Sequence, residues 1–132
     1  MVSSQTSVKR NTQQRDAVAH VIRQTNGPLT IREIFQRARR RCDLGIATVY
    51  RTVKILSESG QITAVILPDG RTRYEAAHLG HHHHFRCRDC DCVFDLDVCP
   101  VTISKGMILP GGFHVDGHEL TLYGTCPGCF GK

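Results

Sequence analysis

Apolar residues recur at helical spacing through the first sixty positions, and short runs rich in β-branched residues bounded by turn signals follow, so helices are expected first and strands later. Residues Val8–Thr25 read as a helix, with Thr12 near its start and Ala17, Val18, Val21 and Ile22 on one buried stripe. Asn26-Gly27-Pro28 ends it. Thr30-Ile31-Arg32-Glu33 has the form of a capping box, in which a hydroxyl and a carboxylate satisfy free backbone donors. Ile31, Ile34, Phe35 and Ala38 then give a second helix its inner face. A third is expected over about Ala47–Ser59, with Val49, Val53 and Leu56 inward and Gly60 as its left-handed stop.

The pattern then changes period. Ile62–Leu67 is rich in β-branched residues, Pro68-Asp69-Gly70 signals a turn, and Arg71–Glu75 returns as a second strand. Three short helices followed by a hairpin predict a winged helix-turn-helix over residues 1–75. Ala76–Gly80 reads as a hinge. In residues 81–132, strands are expected at His81–Arg86 and Val93–Leu96, with strand material over Phe113–Tyr123. Between them Pro100, Gly106, Pro110, Gly111 and Gly112 leave room for a short helix near Thr102–Leu109. The expected class is α+β, with a second, smaller α/β domain.

Charge sharpens this division. The net charge of +5 is unevenly placed: residues 1–75 carry 13 Lys and Arg against 6 Asp and Glu, and residues 76–132 carry 4 against 6. A basic front half suits a polyanion, and a rear half rich in cysteine and histidine suits metal. No apolar run approaches a membrane span and Met1–Arg10 lacks an export signal, so a cytoplasmic protein is expected. Seven cysteines, an odd number in paired spacing without that signal, point to reduced thiolates rather than disulfides.

Two C-x-x-C knuckles, Cys87/Cys90 and Cys126/Cys129, offer four thiolates, a closed tetrahedral set for structural Zn2+. The ion would staple the start of the rear half to its end. Cys92 and Cys99 are alternative partners, and Cys42 reads as an ordinary buried residue. The run His81-His82-His83-His84 is too dense to join that site. On a strand its side chains alternate, so His81 and His83 share one face and His82 and His84 the other, serving two sites back to back.

Thr48-Val49-Tyr50-Arg51, Arg73-Tyr74-Glu75, the histidine run leading into Cys87-x-x-Cys90, and His118-Glu119-Leu120-Thr121-Leu122-Tyr123-Gly124-Thr125-Cys126-x-x-Cys129 together resemble the ferric uptake regulator family. The resemblance covers about Lys9 to Cys129. It implies a metal-dependent, homodimeric winged-helix repressor of metal-homeostasis genes that binds double-stranded operator DNA, with residues 81–132 as the metal-binding dimerisation domain. It makes Glu75, His82, His84 and Asp95 a regulatory divalent-metal site at the hinge, and His81, His83 and His118 members of a second. Pro28 stands where many relatives place a further hinge histidine. No acidic ligand falls near Val101–Ile103, so either Asp97 or His114 stands in or the second site is incomplete. Asp91 replaces a usual glycine, tolerable because Asp visits the left-handed region.

The all-histidine run resembles zinc sensors, while Glu75 with Asp95 resembles iron or peroxide sensors; imidazole suits zinc and iron, and added carboxylate suits manganese. The balance favours Zn2+, ahead of Fe2+ and Mn2+. For DNA, the resemblance puts the third helix in the major groove, with Thr48, Tyr50 and Arg51 as contacts, while Lys9, Arg10 and Arg15 suit phosphates or a narrow minor groove. An inward, core-packing Tyr50 is the alternative. A zinc deaminase needs H-x-E with P-C-x-x-C, which this chain lacks. A passive zinc-stapled nucleic-acid module leaves the histidines unexplained. No enzyme activity or organic cofactor is expected.

Overall fold

The computed structural model describes residues 4–80, 82–101 and 103–131, with side chains from residue 9 onward. The chain has an α+β fold and divides into two compact units between Leu79 and Gly80. No helix of the described residues is long and apolar enough to cross a membrane.

The first unit contains α1 (Ser4–Gln24), α2 (Ile31–Ala38), α3 (Ile46–Glu58), β1 (Ile62–Ile66) and β2 (Thr72–Ala76). Its core is the stripe of each helix turned inward: Val18 and Ile22 from α1, Ile34 and Ala38 from α2, and Val49, Val53 and Leu56 from α3. Helix α1 begins at Ser4, so Thr12 lies inside it rather than near its start. The capping box forms, with Glu33 N–H donating to Thr30 Oγ1 at 3.2 Å and Thr30 N–H to Glu33 Oε1 at 2.9 Å. Just before it, Leu29 and Tyr74 exchange backbone hydrogen bonds of 2.9 and 2.8 Å, tying the α1–α2 connection to β2. Gly60 has φ +77° immediately after the C-cap Ser59, which ends α3.

Strands β1 and β2 pair antiparallel from Ile62↔Ala76 to Ile66↔Thr72. Their connection is fixed by a pair absent from the sequence reading: Arg73, 1% exposed, holds Asp69 through Nη1–Oδ1 at 3.2 Å and Nη2–Oδ2 at 3.0 Å. Asp69 also accepts from the Arg71 N–H at 3.0 Å.

The second unit contains β3 (His83–Cys87), β4 (Val93–Leu96), β5 (Ile108–Leu109), β6 (Phe113–His114) and β7 (Thr121–Gly124). Strand β3 is central, antiparallel to β4 and parallel to β7, in the order β4-β3-β7. It starts and ends later than the expected His81–Arg86. The helix expected near Thr102–Leu109 does not form among the described residues. Gly106, Gly111 and Gly112 have φ of +89°, +92° and +85°, and the last two turn the chain into the small β5–β6 hairpin. A Cβ at Gly111 would also lie 3.0 Å from Phe113. The expected strand Phe113–Tyr123 is accordingly split into β6 and β7. Asp91 takes the left-handed conformation, φ +63°, and Arg86 holds its carboxylate with Nε and Nη2 at 2.8 and 2.7 Å.

Candidate metal centres and nucleic-acid face

Sheet topology assembles the four cysteines. Parallel pairing of β3 with β7 sets Cys87 opposite Gly124, and Arg88 N–H donates to Gly124 O at 2.8 Å, so the two knuckles leave the same end of the sheet. The sulfurs of Cys87, Cys90, Cys126 and Cys129 all lie within 4.8 Å of one another, with Cys90 and Cys126 at 3.9 Å. A tetrahedral zinc with 2.3 Å bonds separates its sulfurs by about 3.8 Å. The donor set therefore fits that ion. Backbone N–H groups of Cys90 and Cys126 lower the Cys87 thiol to about 6, the latter contact measuring 3.3 Å. The Cys129 thiol is pushed up to about 12, first by its hydrogen bond to Cys126, then by burial and the neighbouring sulfurs. The cluster thus favours the thiolate at Cys87 and the thiol at Cys129, and metal binding requires all four sulfurs deprotonated. Cys42 is half-buried against the first core, and Cys92 stands outside the metal-type clusters of the described residues.

A second cluster forms across β3 and β4. His84 pairs in register with Asp95, and the Nε2 atoms of His84 and His82 approach Asp95 Oδ1 at 3.5 and 3.8 Å. The two rings meet edge to face with centroids 4.9 Å apart. His82 Nδ1 faces Gly80 O at 3.0 Å; with Nδ1–H as donor, Nε2 is left with its lone pair toward Asp95. Two imidazoles and a carboxylate suit a borderline divalent ion such as zinc or iron. Glu75 sits on β2 of the first unit, opposite Thr63.

His83 and His118 meet on the other side. Their Nε2 atoms are 3.2 Å apart, and His83 is 1% exposed. Cys99 completes this group, its Sγ 3.4 Å from His118 Nε2. Neither Asp97 nor His114 joins it. Cys99 had been read only as an alternative partner for the four-thiol set; its approach to His118 depends on the fold between β4 and β7, and its one sequence signal was the absence of a carboxylate near Val101–Ile103. His81 lies outside the described residues.

The basic residues named from sequence are on the surface of the first unit. Lys9, Arg10 and Arg15 project from α1. Tyr50 is 58% exposed, so it is not a core residue despite following buried Val49. Arg51 is exposed too, and its Nη2 donates to Thr48 Oγ1 at 3.0 Å, which orients the guanidinium along the helix. Lys54, exposed and one helical turn beyond Tyr50 and Arg51, extends the same face and was missing from the sequence reading.

A model of the ferric uptake regulator family matches residues 6–123. The ferric uptake regulation protein of Campylobacter jejuni is 33% identical over 88 residues, covering 66% of this chain and 56% of that protein, so the matched stretch spans little more than half of that relative. The protein of the same description from Bacillus subtilis is 30% identical over 129 residues, covering 92% and 85%. Among solved structures, a zinc-bound manganese uptake regulator superposes with a TM-score of 0.71 at 26% identity, covering 90% of this chain and 94% of that one.

Proposed function

Because this chain belongs to the ferric uptake regulator family of transcription regulators, which are not enzymes, we propose that it is a metal-dependent repressor binding operator DNA as a homodimer. In this reading residues 1–75 are a winged helix-turn-helix with β1–β2 as the wing, residues 76–80 are a hinge, and residues 81–132 are the dimerisation domain. Cys87, Cys90, Cys126 and Cys129 hold structural zinc. The face carrying Thr48, Tyr50 and Arg51 reads bases, while Lys9, Arg10 and Arg15 take phosphates.

The observation that carries the reading is the convergence of His82 and His84, which directly follow the hinge, on Asp95 of β4. Glu75, the acidic residue just before the hinge, is the proposed fourth ligand. A ligand set shared between two units lets an ion favour one relative placement, and only its differential affinity moves the equilibrium. Shifting a dimer from about 1:99 to 99:1 in the DNA-competent state needs roughly 5.5 kcal/mol of such preference.

Zn2+ is the favoured co-repressor, supported by the imidazole-rich set. Iron or manganese sensing, including a peroxide-responsive type, is the second reading, supported by the Asp95 and Glu75 carboxylates. The relatives' names point to iron, manganese and zinc alike. The test is operator binding by protein that retains only its four-cysteine zinc, titrated with Zn2+, Fe2+ and Mn2+ while metal content is measured. Affinity that rises with one of these ions is expected; affinity indifferent to all three leaves only the passive module.

A further inference from the structure

The geometry points to Cys99 as a metal ligand: with His83 and His118 it forms a thiolate–bis-imidazole site that takes a thiophilic divalent ion, zinc above all, and rejects Mn2+. This rests on the second unit's being a metal sensor, and it identifies a third protein donor for the site that had no acidic residue near Val101–Ile103.

Three observations support it. First, the distances fit donors gathered around one ion. Ligands at 2.0–2.1 Å for nitrogen and 2.3 Å for sulfur stand about 3.3 Å apart for two nitrogens and about 3.6 Å for nitrogen and sulfur around a tetrahedral centre. The observed separations are 3.2 Å for His83 Nε2–His118 Nε2 and 3.4 Å for His118 Nε2–Cys99 Sγ. Second, His83 is 1% exposed, and its Nε2 is directed at His118 with the rings tilted at 33° and centroids 4.9 Å apart. Two imidazoles presenting the same nitrogen to one point converge as two donors do on one ion. Third, the group belongs wholly to the second unit and shares no residue with the His82–His84–Asp95 cluster or the four-thiol cluster.

The donor type sets the selectivity. A carboxylate here would admit Mn2+ and other hard ions, whereas a thiolate favours zinc over them. Binding transfers the Cys99 proton to solvent as the S–H bond gives way to a metal–sulfur bond, so no oxidant or reductant is required. It also gives up the contact of Cys99 Sγ with Val101 O at 2.9 Å, a weak thiol hydrogen bond.

Co2+ serves as the probe, because a coordinated thiolate adds a near-ultraviolet charge-transfer band that imidazole and carboxylate ligands do not. Full-length protein carrying its four-cysteine zinc is titrated with Co2+ under reducing, anaerobic conditions, alongside Cys99→Ser, His118→Ala and Asp95→Ala. The band is expected in the parent protein and in Asp95→Ala, and lost in Cys99→Ser and His118→Ala. Zn2+ should displace cobalt from the parent and bind Cys99→Ser at least about tenfold more weakly at this site. A large excess of Mn2+ should leave the band in place. A band that survives Cys99→Ser, or is absent from the parent protein, overturns the assignment; displacement by Mn2+ overturns the selectivity. DNA has no part in the readout, so these results stand apart from the operator-binding test of the repressor reading.

Discussion

Replacing Cys126 with Ser is expected to unfold the second unit and leave the first folded. Among the described residues of the second unit, Val93 is the one buried aliphatic side chain, accompanied by the Cys87 and Cys126 thiols. Full burial of one valine contributes about 1.5–3 kcal/mol. Ordering each residue of backbone costs roughly 1–2 kcal/mol, over a unit of about 50 residues, a size at which many domains need a metal. Structural zinc on thiolate ligands contributes about 10–16 kcal/mol, so equal sharing assigns each sulfur about 2.5–4 kcal/mol. Loss of one sulfur thus matches or exceeds the apolar contribution of the buried valine. The first unit, whose core draws on all three helices, has no such dependence. Segment-resolved hydrogen exchange reads the outcome, with zinc content measured on the same sample. Amides of β3 and β7 should exchange at near-unprotected rates in Cys126→Ser, while α1 and α3 keep their protection. Persistent protection of β3 and β7 in zinc-free protein would refute the reasoning.

Three further outcomes follow from the same geometry. Tyr50→Ala and Arg51→Ala remove exposed side chains, so each should leave the melting temperature nearly unchanged while weakening operator binding by about 1–3 kcal/mol, measured by fluorescence anisotropy against operator and scrambled duplexes. Asp69→Ala strands Arg73 in a buried position without its bidentate partner, and denaturant unfolding of the first unit should show a loss of about 3–5 kcal/mol. Glu75→Ala should abolish the metal dependence of DNA binding while the four-cysteine zinc is retained; metal-dependent binding that persists in this variant removes Glu75 from the sensor.

Where local chemistry decides an element, the sequence was readable. Thr30 and Glu33 announced the start of α2, Gly60 the end of α3, and Pro68-Asp69-Gly70 the turn between β1 and β2. Paired spacing alone marked the four thiols as one cluster, and Asp91 was correctly placed in left-handed backbone. What escaped depends on chain segments far apart. The parallel β3–β7 pairing joins residues on either side of an irregular stretch, and no periodicity within either strand reveals the partner. The helix expected near Thr102–Leu109 failed because the stretch is too short to offset nucleation, while its glycines favour turns. Cys99 was visible as a residue but not as a neighbour of His118. Arg73 was visible within the Arg73-Tyr74-Glu75 string, but its pairing with Asp69 depends on the closure of the hairpin.

The central position of β3 constrains how this unit can vary. His84 at one step, His83 at the step before it and Cys87 at the strand's end feed three different clusters, so their spacing works like a gear train. Removing or inserting a single residue between His83 and Cys87 would turn the following side chains to the opposite face and cross-wire all three clusters at once. A change of metal preference must therefore come by exchanging one donor for another at fixed length, while insertions are tolerated only beyond the strand, in the long connection between β4 and β7.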